Sequence, residues 1–66
     1  MKKPKYAKLL LNKNITYPIV SIHFSTGQVT LKEKENIYNT VDIRNVEFVF
    51  SDFTEMEKCS FLRAFE

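Results

Sequence analysis

The sequence predicts an α+β fold, a small twisted antiparallel β-sheet of about four strands followed by one C-terminal α-helix. Three observations predict it. Between Pro18 and Lys34, apolar residues alternate with polar ones on both sides of a turn signal at Thr26-Gly27, the pattern of a half-buried β-hairpin. Between Ile37 and Phe50 the alternation continues but changes phase: Ile37, Val41 and Ile43 share one parity, Val46, Phe48 and Phe50 the other. From Thr54 to Glu66 neither Gly nor Pro occurs, and Thr54-x-x-Glu57 has the form of a capping box.

Residues 1–5 (MKKPK) are expected to be a flexible basic arm, with one small domain over residues 6–66. Residues 6–11 read two ways: Ala7, Leu9 and Leu11 fit one face of a strand, yet Ala, Leu and Lys also favour helix. Asn12-Lys13-Asn14 is a turn signal, and the β-rich sequence beyond it favours the strand. Ile15–Ser25 is the next strand, with Pro18 marking an edge or a bulge because it has no N–H to give. Val20, Ile22 and Phe24 form its apolar face. A turn centred on Thr26-Gly27 sets Phe24 opposite Val29 and Ile22 opposite Leu31, and Gly27, the single glycine, stands where a positive φ is needed. Gln28–Lys34 follows as a strand, and residues 33–36 (EKEN) as a solvated turn. The phase change near Arg44-Asn45 predicts a bend or short turn that carries the chain to another edge of the sheet. Strands of this kind resemble those that close small SH3-like or Sm-like barrels, and the resemblance implies a partly open barrel.

The helix is expected over residues 54–66, with Asp52-x-x-Glu55 as a competing capping box. On a helical wheel Phe53, Met56, Ser60, Phe61 and Ala64 share one broad side, and Cys59, Leu62 and Phe65 lie on the other. One sheet covers only one side of a helix, so this one carries more apolar surface than its own domain can use.

Chain length sharpens that point. Ordering 66 residues costs on the order of 1.5 kcal/mol each, so nearly all large apolar side chains must be buried, and a dimer would supply burial more easily. With one cysteine, Cys59, no intrachain disulfide contributes. No run of about 18 apolar residues appears, and Leu9-Leu10-Leu11 is too short for a signal peptide, so a soluble cytoplasmic protein is expected. Lys, Asn, Ile, Phe and Tyr are frequent and Arg, Gly and Ala scarce, a bias suited to an AT-rich genome.

The net charge of +2 hides a division. Residues 1–32 hold six lysines and no acid, and residues 33–66 hold eight acids against four cations. Either the basic half meets an anionic partner, or the halves interleave and neutralise each other across strands.

Chemistry at a site finds little support. His23 and Cys59 are the only imidazole and thiol, too few for a metal centre, and no cofactor or small-molecule substrate is inferred. His23 shares a strand face with Ser21 and Ser25, but a nucleophile also needs an orienting carboxylate and a dry pocket. The leading expectation is non-enzymatic protein binding through Phe61, Leu62 and Phe65, to a second copy of the chain (a homodimer) or to a host protein. The alternative is nucleic-acid binding, with Lys3, Lys5, Lys8 and Lys13 on phosphates and Tyr6 stacking on a base. In its general style the chain resembles accessory proteins of phages and mobile elements of low-GC bacteria, which implies an inhibitor-type protein that binds and blocks a host factor.

Overall fold

The computed structural model describes residues 1–65. Five strands form one antiparallel sheet: β1 (Tyr6–Leu9), β2 (Asn12–His23), β3 (Gln28–Lys34), β4 (Ile37–Asp42) and β5 (Val46–Phe48). Their order is β4-β3-β2-β1-β5, so the sheet is open, with β4 and β5 as its edges. A helix, α1 (Glu55–Arg63), completes the α+β fold.

Residues 6–9 take the strand alternative, with Ala7 wholly buried between Tyr17 of β2 and Phe48 of β5. The turn after them falls on Leu10-Leu11 rather than on residues 12–14, and the Leu10 N–H donates to the Asn45 carbonyl at 2.9 Å. The Asn-Lys-Asn signal is expressed instead as an irregularity at the start of β2, where the register shifts between Lys8 and Leu9 and the Asn14 N–H donates to Asn12 Oδ1 at 3.3 Å. Pro18, opposite Tyr6, lies in the middle of β2, where that strand passes from pairing with β1 to pairing with β3. A missing donor is tolerated there because the ladder changes partner.

The β2–β3 hairpin forms, but two residues out from the expected register. Ile22, not Phe24, faces Val29, and the loop holds four residues, 24–27. An even loop keeps the expected faces, because strand side chains alternate with period 2. Gly27 takes φ +69° and its N–H donates to the His23 carbonyl at 2.9 Å. Phe24 leaves the ladder because it has a better use: its ring packs 4.8 Å from that of Phe65 and 5.8 Å from that of Phe61. A register shift between Ile19 and Ser21 then turns Val20 to solvent and sets Ile19 against the core.

The phase change at 43–45 is a single 3₁₀ turn, Ile43–Asn45, capped by Asp42, whose Oδ1 accepts the Arg44 N–H at 2.9 Å. It carries the chain from the β4 edge to the opposite edge, where Val46 pairs with Leu9 and Phe48 with Ala7. This is the expected bend, and it adds a fifth strand to the four expected.

Before α1 the Thr54 capping box is complete. The Glu57 N–H donates to Thr54 Oγ1 at 3.1 Å and the Thr54 N–H to Glu57 Oε1 at 2.9 Å. The helix stops at Arg63, short of the expected end, and its last turn tightens: the N–H groups of Ala64 and Phe65 donate to the Phe61 and Leu62 carbonyls at 3.1 and 3.3 Å. The expected helical end at Glu66 lies outside the described residues.

The core is Ala7, Val29, Leu31, Val46, Phe48 and Phe61. All six phenylalanines join in one set of ring contacts, with Phe61 5.0 Å from Phe48 and 5.9 Å from Phe50. Residues 1–5, expected as a flexible arm, lie along this body: Pro4 is buried and the Lys5 carbonyl accepts the Ile19 N–H at 2.9 Å.

Candidate protein-binding surfaces

Anchoring α1 through Phe61 decides which side of it remains free. Phe61 is 0% exposed, so it offers a partner nothing, and Phe65 packs against Phe24, Phe48 and Phe61. Both pack into the core of the single chain, Phe61 wholly and Phe65 in part, because Phe65 lies only about 40° from Phe61 on a helix of 3.6 residues per turn. Of the three residues expected at an interface, only Leu62 keeps substantial surface, at 42%.

Met56, which the helical wheel sets on the same broad side as Phe61, is 82% exposed. It stands about 140° from Phe61 around the helix axis. Met56, Cys59 and Leu62, spaced i, i+3, i+6, therefore make an outward apolar line. Glu55, Ser60 and Arg63 flank it and, with Met56 and Cys59, line a shallow hollow of about 310 Å³. Centring the wheel on Phe61 and Phe65 would have found this line in the sequence.

The cap that starts α1 is also electrostatic. The Thr54 backbone N–H holds the Glu57 carboxyl below its ordinary range, and the Lys2 ammonium 3.7 Å away adds to the effect. Lys2 also lies 3.5 Å from an Asp52 carboxylate oxygen and 4.8 Å from the centre of the Phe53 ring.

The lysines of the nucleic-acid alternative do not gather on one surface. Lys3 sits over the Phe24 ring at 5.7 Å; Lys13 lies 3.7 Å from Glu47, and Lys8 is opposite Glu47 across the β1–β5 pair. The basic half is thus interleaved with the acidic half. Lys3, Lys5 and Tyr6 do share a cleft of about 280 Å³ with Lys2, Val49 and Phe53, but Asp52 lines it too.

His23 meets two hydroxyls, Ser21 Oγ at 3.1 Å and Thr30 Oγ1 at 3.2 Å, and Thr30 in turn meets Thr40 Oγ1 at 2.8 Å. This is a ladder of hydroxyls on the outer sheet face. Among the described residues no group of three metal-ligating side chains occurs, and no helix is long and apolar enough to cross a membrane.

A second apolar surface lies at the β4 edge. Leu9, Leu10 and Leu11 face Asn39, Val41 and Asn45 across a groove of about 470 Å³, and Leu11 at the turn tip is fully exposed. Ile37 and Tyr38 of β4 are 49% and 54% exposed. The triple leucine was visible in the sequence, but placing its turn at residues 12–14 hid the exposed tip.

Fold and surfaces together define a small open-sheet domain with a capped C-terminal helix and two separate apolar surfaces. No protein family, no curated protein and no solved structure matches the chain.

Proposed function

We propose that this protein is a non-enzymatic binding domain that docks on another protein through the outward line Met56–Cys59–Leu62 of α1. The observation that carries the reading is the division of the helix: Phe61 alone is wholly committed to the core, while Met56 and Leu62 remain 82% and 42% exposed on the other side. A partner with an apolar groove would receive this line as helix-in-groove interfaces do, with Glu55 and Arg63 at the rim. Docking of this kind would suit an accessory or inhibitor role, in which the domain covers a working surface of a host protein.

The test is affinity capture from a lysate of a low-GC bacterium with the wild type and a Met56→Gln, Leu62→Gln variant, then direct binding to any protein retained. The variant is expected to keep a melting temperature within about 5 °C of the wild type, since both residues lie outside the core. It should also lose the captured protein. Equal capture by the two would overturn the assignment to α1. The Lys3–Lys5–Tyr6 cleft supports a weaker second reading, phosphate-directed binding of a single strand. Affinity for a labelled oligonucleotide that falls steeply with salt would support it instead.

A further inference from the structure

Natural sheets protect their edges with lysine, proline, short length or a cover. The β5 edge follows this rule, being three residues long with Glu47 in the middle. The β4 edge does not: its first five residues, Ile37-Tyr38-Asn39-Thr40-Val41, include no charge and no proline. Asp42 ends the strand, but Arg44 of the same chain neutralises it through Nε and Nη2 contacts of 3.1 Å. We propose that β4 pairs antiparallel with β4 of a second copy of this chain, about a two-fold axis through Asn39.

Symmetry selects that register. In an antiparallel pair related by a two-fold axis, directly opposed residues lie on the same sheet face, so the axis must pass through a residue or midway between residues of equal parity. Centred on Asn39, Ile37 faces Val41 of the second copy on the inner face, Tyr38 faces Thr40 of the second copy on the outer face, and Asn39 faces its own counterpart. Each pair matches apolar with apolar or polar with polar. Centred on Thr40, Tyr38 would face Asp42 and Asn39 would face Val41; centred on Tyr38, Ile37 would face Asn39 and Val41 would face Glu35. The uncharged stretch is thus self-complementary in one register.

The groove beside the edge supplies the rest. A strand added to β4 enters the opening between Asn39 and Val41 on one side and Leu9–Leu11 on the other, so the exposed leucine turn of each copy would cover the other's added strand. This assigns a role to Leu11, which touches nothing in the single chain, and supplies apolar burial that a 66-residue domain lacks.

The experiment is native mass by light scattering from about 10 μM to about 1 mM protein, the range of weak self-association. A dimer little affected by salt is expected at the upper end. Asn39→Lys places two ammonium groups opposite each other only in the dimer. In the monomer the new side chain lies beside Glu33, which Asn39 now contacts at 3.3 Å. It should weaken dimerisation by at least about tenfold with an unchanged circular dichroism spectrum. In a Cys59→Ser background, Asn39→Cys should cross-link two copies with oxidised glutathione and Thr40→Cys should not, because only position 39 faces itself. A monomer throughout the range, a dimer that Asn39→Lys leaves intact, or equal cross-linking at both positions would overturn the proposal. The Met56→Gln, Leu62→Gln variant should dimerise like the wild type, which separates this surface from that on α1.

Discussion

Phe61 shows how much of this domain rests on single side chains. Its ring lies within 6 Å of the rings of Phe24, Phe48, Phe50 and Phe65, and no part of it reaches solvent. Phe61→Ala should cost about 3–5 kcal/mol, the usual range for emptying a buried aromatic site. A domain of this size commonly has no more than about 3–5 kcal/mol in all, so the variant is expected to be largely unfolded in urea-free buffer by circular dichroism. Leu62→Ala, one residue on, should cost less than about 1 kcal/mol in a urea titration, because that side chain already meets water. The contrast was legible only in part: adjacent apolar residues on a helix look alike until one learns which of them the sheet receives.

At the scale of elements, the parts legible in the sequence were those with a local cause. The capping box, the left-handed Gly27 and the bend after β4 follow from a few neighbouring residues, and all three formed. The register of β2 against β3 did not follow, because it was decided by Phe24 finding Phe61 and Phe65 near the far end of the chain. The outward line of α1 was missed for the same reason. The cap at Thr54 gives a direct test: Thr54→Ala should cost about 1 kcal/mol in chemical denaturation. Its partner predicts an acid dependence. Glu57 is held below its ordinary value of 4.5, so its contribution is complete above that value in the unfolded chain and is lost as pH falls through the lower folded value. Glu57→Gln keeps a bond to the Thr54 N–H but cannot titrate. Its stability should fall less than the wild type's between about pH 5 and pH 2, measured by thermal melts across that range.

For the whole molecule, the charge division becomes an arrangement of neighbours. Lys2 lies against Asp52 and Glu57, Lys13 against Glu47, and Lys32 against Glu35. These pairs are partly or fully exposed, so solvent screens them and they add little to stability. Raising NaCl from about 50 mM to about 500 mM should therefore leave the melting temperature unchanged or lower it by a few degrees, because salt screens attractions. A clear rise would mean that repulsion among the lysines dominates. The crossing of the chain between β4 and β5 has a kinetic consequence. Of the five strands, β1 is made before the others and is also the one that must wait longest for its second neighbour, since the Ala7–Phe48 and Leu9–Val46 pairs join segments far apart in the sequence. The β2–β3–β4 meander can close in order as it emerges, whereas the β1–β5 row must await every residue as far as Phe48. Closing so long a loop is slow, which makes that last row the expected rate-limiting event of folding. A nascent chain halted before Val46 would hold a three-stranded meander and β1, with the place beside β1 still vacant.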